Sequence, residues 1–369
     1  ELTRLGPFTS LASNLARQFN DPRLRQLFGR YATYCGSSPW TAPATLLLVA
    51  QVEMDGVWSV DGGMHGLAQA LAALAVERGV DIRYGTAVEE IRVHGGRASG
   101  VRLASGEQVD ADSVVFNGDV HALASGRLGL AVAGSVDRVA RSARSLSAVT
   151  WSMHAKTGGS FPLENHNVFF DADYASEFRD IFGAGRLPSN PTVYVCAQDR
   201  TAAAAHQGPC DAAPLPPGGG RDRLLCLVNA PACGDSHPLE LSEIDACERR
   251  MQALLSSCGL EVEIDPATTV RTSPNEFERL FPATGGSLYG RATQGWMALF
   301  KRSSSSSRLP GLYLAGGSVH PGPGVPMAAM SGQLAAATLL GHLASTSRSG
   351  RVVISGGMST RSVTTAATA

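Results

Sequence analysis

The stretch with the most chemical promise is Gly316-Gly317-Ser318-Val319-His320-Pro321-Gly322-Pro323-Gly324. An apolar strand, Leu312–Ala315, runs into it, and an apolar helix leaves it from about Pro326 to His342. Glycines let a backbone approach a ligand closely, and the free N–H groups at a helix start favour phosphate. Pro326 suits the first turn of that helix. A plain strand-to-helix turn uses the same residue types, so the spacing alone leaves both readings open. His320 lies inside the bend, where a turn role and a chemical role are equally open. The remaining histidines (His65, His94, His121, His154, His166, His206, His237 and His342) are scattered and read as surface or satisfied core residues. There is no G-x-S-x-G, no H-E-x-x-H, no Cys/His ligand spacing and no G-x-x-x-x-G-K-[ST]. Serine-hydrolase, zinc and P-loop chemistry therefore lack support, and no metal site is expected.

The elements around the bend are clearest over residues 57–119. Val57–Val60 reads as a short strand and Asp61-Gly62-Gly63 as a sharp turn. Met64–Arg78 reads as a helix with Met64, Leu67, Leu71, Leu74 and Ala75 on one face, ended by Gly79. Val80–Tyr84 reads as the next strand, so the order predicts a βαβ unit. Ala87–His94 and Arg97–Leu103, joined by Gly95-Gly96, predict a hairpin. After a turn at Ser105-Gly106-Glu107, Gln108–Asp110 continues the meander. Asp112–Phe116 is a buried-type strand ending at Asn117-Gly118-Asp119.

Upstream, residues 1–30 carry apolar side chains at helical steps, broken at Asn20-Asp21-Pro22. An aromatic segment, Arg30–Trp40, follows. Thr41–Val52 predicts an apolar helix that is either buried or facing something oily. Residues 126–285 read as mixed, with strands at Asn167–Phe170, Thr192–Ala197 and Leu224–Asn229 and a helix at Ser242–Cys258, capped by Ser242 with Asp245 as an early acid. Thr201–Gly220 and Ser303–Ser307 are expected to be loops, and the tail from Ser345 to be disordered.

With 369 residues, 44% of them hydrophobic and 17% charged, the chain has ample material for a core. The net charge of −1 gives no basic field for nucleic acid. No apolar run reaches the roughly 18 residues of a spanning helix; the best, Ala42–Ala50 and Val325–Leu340, are short or interrupted. The seven cysteines, without a C-x-x-C, read as reduced thiols.

Several segments resemble the bacterial carotenoid desaturases, the phytoene-desaturase-like flavoproteins. They are Phe28-Gly-Arg-Tyr-Ala-Thr-Tyr34, Ser38-Pro-Trp-Thr-Ala-Pro-Ala44, Gly56-Val-Trp-Ser-Val-Asp-Gly-Gly-Met64, Ala111–Asp119 and Leu309–Met327. His166-Asn-Val-Phe-Phe170, Tyr194–Arg200 and Thr284-Gly-Gly-Ser-Leu-Tyr-Gly290 resemble the hydroxyneurosporene (methoxyneurosporene) desaturase branch in particular. The resemblance covers about residues 5–345. It implies an α/β and α+β fold, with a Rossmann-like FAD-binding domain interleaved with a mixed-sheet and helical substrate domain. The implied division is 1–56 (helical, facing substrate or membrane), 57–125 (FAD-binding), 126–285 (substrate), 286–344 (C-terminal FAD-binding segment) and 345–369 (tail). The family opens on a strand–G-x-G-x-x-G–helix fingerprint. None occurs here, so the first quarter to third of a usual member is expected to be missing and the FAD domain to be incomplete at its N-terminus.

By resemblance, FAD contacts fall on Gly316, Gly317, Ser318, His320, Pro321, Gly322, Gly324, Val325, Pro326 and Met327, with Val88 at the position whose backbone meets adenine. Gly316-Gly317 stands where many related flavoproteins have Gly-Asp, so a ribityl-binding carboxylate is not implied. Gly62, Gly63 and Met64 are assigned to structure before cofactor. Tyr31, Tyr34 and Trp40 are candidates to line the substrate tunnel or touch the membrane, or else to be ordinary core. The implied reaction is 3,4-desaturation of a 1-hydroxy or 1-methoxy acyclic carotenoid, with hydride to the flavin; no catalytic base is identified. The implied place is the cytoplasmic side of a bacterial inner (photosynthetic) membrane, attached peripherally. Phytoene desaturase, carotenoid isomerase and amine oxidase chemistry on the same scaffold, or a non-catalytic lipid-binding module, are the alternatives.

Overall fold

The computed structural model describes residues 8–58, 60, 63–200 and 221–348. The expected turn at Asp61-Gly62, the Thr201–Gly220 loop and the end of the tail lie outside them. The N-terminal helices form as expected. Helix α1 (Leu11–Gln18) is capped by Ser10, and α2 (Pro22–Gly29) by Asp21, whose carboxylate accepts from the Arg23 N–H at 2.8 Å. They pack with the tight turns Arg30–Cys35 and Ala44–Leu47 around Leu11, Leu15, Ala32, Ala42 and Leu46. The helix expected over Thr41–Val52 begins only at Leu48 and ends at Asp55 (α3). Pro43 holds the chain extended and bridged to Ser10, which postpones helical geometry. No residue of α3 is buried.

Helix α4 (Gly63–Glu77) forms, but its two flanking strands do not. Val57, Trp58, Val60 and residues 80–83 have no ladder partner among the described residues. A parallel strand exists only by hydrogen bonding to a neighbour, so the apolar pattern that predicted a βαβ unit is not sufficient to make one. Met64, Leu71, Leu74 and Val76 of α4, together with Val80 and Tyr84, stay exposed. The meander does form. Strands β1 (Val88–His94), β2 (Arg97–Leu103) and β3 (Gln108–Asp110) pair antiparallel. Gly95 and Gly96 both take positive φ, as a two-residue hairpin turn requires.

Strand β4 (Val114–Phe116) leads to the short helix α5 (Val120–Ala124), which Asp119 caps. A large antiparallel sheet follows, from β5 (Ser147–Gly159), β6 (His166–Phe169), β7 (Val193–Ala197), β8 (Asp222–Ala230), β9 (Leu260–Glu263) and β10 (Thr269–Thr272), in the order β10-β5-β8-β7-β6 with β9 on the far half of β5. Helix α6 (Tyr174–Phe178) connects β6 to β7. Helix α7 (Leu241–Ser257) covers one face with Ile244, Cys247, Met251 and Leu255 against Trp151, Val193, Val195, Cys226 and Val228. Its N-cap is Glu240 rather than Ser242, because Glu240 and Glu243 close a reciprocal capping box; Glu243, not Asp245, is the first-turn acid. The other face carries Val168, Tyr194, Leu227 and Thr150 in one cross-strand row and Cys196, Leu225 and Ser152 in the next, most of them half-buried.

After α8 (Pro274–Leu280), β11 (Leu312–Leu314) pairs parallel with β4. Helix α9 runs from Val325 to Arg348, so residues 345–348 are its last turn and not part of a disordered tail. Ser331 and Ala335 of α9 are buried, whereas Val325, Met327, Met330, Leu334, Leu340 and Leu343 are exposed. The six described cysteines are all free thiols.

Candidate functional site

Strands β4 and β11 end side by side, so Asn117–Asp119 and the glycine-rich bend leave the same sheet edge. The bend is held from behind. The Gly316 N–H donates to Ser331 Oγ at 2.7 Å, the His320 N–H to the Ser303 carbonyl at 2.9 Å, and the Val120 N–H to Ser318 Oγ at 3.4 Å. Arg302 supplies the strongest tie. Its buried guanidinium donates to the carbonyls of Tyr289 (3.0 Å), Gly317 (3.2 Å) and Arg291 (2.7 Å). Burial pushes its pKa below the usual arginine range. Val319 and Gly322 are buried, while His320, Gly324, Val325, Pro326 and Met327 are exposed.

Val88 opens β1 beside a cavity of about 620 Å³ lined by Phe116, Gly118, Asp119, Arg127 and Phe281 among others. The cavity thus joins Val88 to the residues that follow β4. A second cavity of about 730 Å³ lies behind the bend, walled by Arg138, Arg291, Lys301, Arg302, Arg308 and serines of the Ser303–Ser307 loop.

The three aromatic candidates do not share one wall. Tyr31 is half-buried and donates to Glu53 Oε2; burial first, then that carboxylate, pushes its phenol above the usual tyrosine range. Tyr34 meets Tyr31 edge-on at 5.5 Å. Trp40 lies against Tyr174 (5.9 Å) and Phe178 (5.6 Å), on a separate cavity of about 360 Å³. Beside Tyr34 sits Arg30, which sequence reasoning passed over. It is buried, with its guanidinium 5.2 Å from the Tyr194 ring centre and 5.9 Å from that of Tyr34. His166 Nδ1 lies 2.6 Å from the Tyr194 hydroxyl across the β6–β7 pair. Glu177, wholly buried, accepts from Asn229 Nδ2 (2.7 Å) and the Thr192 N–H (3.3 Å); burial raises its pKa above the usual carboxylate range.

Close backbone contacts connect this cluster to the bend. Gly36 is left-handed (φ 66°), and a Cβ there would stand 2.3 Å from Ser145 Cβ and 2.8 Å from the Tyr289 ring. The Ser145 hydroxyl accepts from the Tyr289 N–H at 2.9 Å, and the Ser145 N–H donates to the Gly290 carbonyl at 2.8 Å. Arg144 clamps Asp235 through two 2.8 Å bonds and also donates to the Ala283 carbonyl. The Thr284–Gly290 loop is therefore fixed between the Arg30 segment and the bend. Among the described residues no cluster of metal ligands occurs.

The model of the flavin containing amine oxidoreductases matches residues 1–340. The chain belongs to that family. Within it the chain groups with the hydroxyneurosporene desaturases. It is 63% identical over 364 residues to that of Rubrivivax gelatinosus, covering 99% of this chain and 67% of the relative. It is 45% identical to that of Cereibacter sphaeroides, covering 89% and 63%. It is 42% identical to that of Rhodobacter capsulatus, covering 91% and 65%. The chain thus spans about two thirds of the length of these curated relatives. An oxidoreductase from Methanosarcina mazei shares the fold at a TM-score of 0.51 and 18% identity, over 90% of this chain and 68% of that one. The family's flavin fits what is present here. The start of α9 is open, with nothing within 4 Å of a Cβ placed at Gly324, and a cavity roomy enough for a nucleoside adjoins Val88.

Proposed function

We propose that this protein is an FAD-dependent carotenoid desaturase that introduces the 3,4 double bond into acyclic 1-hydroxy or 1-methoxy carotenoids, on the route to spheroidene or spirilloxanthin. The observation that carries the reading is the 63% identity over nearly the whole chain to a hydroxyneurosporene desaturase. A second relative, the 1-hydroxycarotenoid 3,4-desaturase of a Flavobacterium, is 31% identical over 338 residues and supports the position of the new double bond.

In this reading the bend Gly316, Gly317, Ser318, His320, Gly322 and Gly324, with Val325, Pro326 and Met327, borders the pyrophosphate, ribityl chain and ring of FAD, and Val88 borders adenine. When bound, the flavin accepts the electron pair that leaves with the two hydrogens. The protein's own part is to align and to keep dry. The half-buried sheet face of Val168, Tyr194, Leu225 and Leu227 is an apolar bed for a polyene. Tyr194, on this face, and Tyr34 flank the Arg30 guanidinium. Arg302 holds the bend to Tyr289, so cofactor and substrate surfaces share one rigid frame.

A hydrocarbon substrate resides in a bilayer, so the protein docks peripherally on a membrane. Phe8 and Trp296 meet edge-on at 5.4 Å and are exposed together with Phe300 beside Lys301, a pattern suited to the lipid interface. Among the described residues no helix is long and apolar enough to cross a membrane.

The test is expression of the full reading frame in a host that accumulates 1-hydroxyneurosporene. A pigment two hydrogens lighter, absorbing at longer wavelength, is the expected product. Bound FAD without conversion would refute the substrate assignment.

A further inference from the structure

We propose that Arg30 is the subsite for the oxygen on C1 of the carotenoid, and so the residue that separates oxygenated substrates from the parent hydrocarbon. The inference rests on the desaturase reading above and deepens it. Three observations lead to it.

First, Arg30 is a guanidinium without an acceptor. Only 9% of the residue is exposed, its Nε donates to nothing, and it forms no ion pair among the described residues. Glu177, a buried carboxyl that feels the charge of Arg30, spends its oxygens on Asn229 and Thr192. The neighbouring Tyr174 hydroxyl is also buried without a partner. Burying a charge without compensating bonds costs several kcal/mol, so such a group marks a position that a ligand completes.

Second, the surroundings select the ligand. The guanidinium is flanked by the rings of Tyr34 and Tyr194, and Tyr194 shares a sheet row with Val168 and Leu227. The ligand that fits is a hydrocarbon carrying one acceptor oxygen. Guanidinium only donates, so it accepts a hydroxyl and a methyl ether alike. That matches the pair of substrates and excludes the hydrocarbon, which would leave the cation unsolvated.

Third, the place is right. Tyr289 sits between this cluster and the cofactor bend. Its carbonyl is tied through Arg302 to Gly317, and its ring lies against Gly36. One carbon separates the oxygenated C1 from the C3–C4 bond, so an oxygen subsite has to lie close to where that bond reacts. Burial pushes the phenols of Tyr174, Tyr194 and Tyr289 above the usual tyrosine range, and the charge of Arg30 offsets part of that rise in all three.

The experiment compares flavin-loaded wild type with Arg30→Met and Arg30→Lys on three pigments: a 1-hydroxy acyclic carotenoid, its 1-methyl ether and the hydrocarbon lacking the oxygen. Binding is read from the shift in carotenoid absorbance, and turnover from kcat/KM. A site built around a hydrogen bond rejects the analogue that lacks it by a large factor. Wild type should favour both oxygenated pigments by about 10²-fold or more. Arg30→Met should erase most of that preference at unchanged flavin content, and Arg30→Lys should restore part of it. Retention of the preference in Arg30→Met, or equal weakening of all three pigments, overturns the proposal. If wild type converts none of them, the desaturase reading fails, and the binding ratios still decide the role of Arg30.

Discussion

Arg302 Nη1 donates to the Gly317 carbonyl at 3.2 Å, and the same nitrogen reaches the Tyr289 carbonyl at 3.0 Å. A single buried cation thus closes the glycine bend onto the Thr284–Gly290 loop. In Arg302→Met three carbonyls lose their donor, with a cost of about 3 kcal/mol. Flavin retention after gel filtration should fall about tenfold. Arg302→Lys should not restore it, because an ammonium lacks the planar fork that serves three carbonyls at once. A full flavin complement in Arg302→Met would show that the bend holds its shape without this tie.

Gly36 is a packing hinge of the same frame. An alanine there meets Ser145 at 2.3 Å in a left-handed conformation that L-residues disfavour. Gly36→Ala should lower stability by about 2 kcal/mol or more, read as a drop in Tm. Gly134→Ala, with nothing within 4 Å of the new Cβ, is the control and should melt close to wild type.

Glu177 gives stability a pH dependence of unusual sign. Its pKa stands above the ordinary value of 4.5 because it is buried. The folded chain keeps a proton that the unfolded chain releases, so stability falls as pH rises from about 4.5 toward the folded pKa. Glu177→Gln removes this term. The stability difference between wild type and Glu177→Gln, measured by urea unfolding, should shift against wild type as pH increases through this range. A pH-independent difference would mean that Glu177 titrates alike in the folded and unfolded chain.

In the proposed membrane attachment, the exposed Phe8, Trp296 and Phe300 form the docking face. Trp296→Ser combined with Phe300→Ser should reduce co-flotation with anionic lipid vesicles at least fivefold, since each ring contributes about 1.5–3 kcal/mol on burial. Flavin content should not change. Undiminished flotation would move the docking face elsewhere.

Much of this frame is written locally. The break at Asn20-Asp21-Pro22 before α2, the Gly95-Gly96 hairpin and the passage from β11 to α9 rest on neighbouring residues, and all are readable as such. The central strand β5 is also written locally, in the alternation of Val149, Trp151, Met153 and Ala155 with Thr150, Ser152, His154 and Lys156. Reading residues 126–285 only as mixed leaves that period-two signal unused. Other features are not local. Val57–Val60 and Val80–Tyr84 have the composition of strands, but a strand needs a hydrogen-bonding neighbour. Arg30 looks like any other arginine in the chain. Only the folding of β7 brings Tyr194 over its guanidinium, and only the connection to α6 buries Tyr174 beside it. Resemblance singled out His166, Tyr194 and the Thr284–Gly290 loop as segments; the structure adds that the Tyr194 ring lies over Arg30 and that His166 meets the Tyr194 hydroxyl.

The central claim, desaturation at C3–C4, is tested most directly by supplying the flavin-loaded protein with a 1-hydroxy acyclic carotenoid deuterated at C3 and C4. The account predicts a product that has lost one hydrogen isotope from each of these two carbons and gained no oxygen. Full retention of deuterium with a new double bond elsewhere in the chain, or an added oxygen atom, would contradict it.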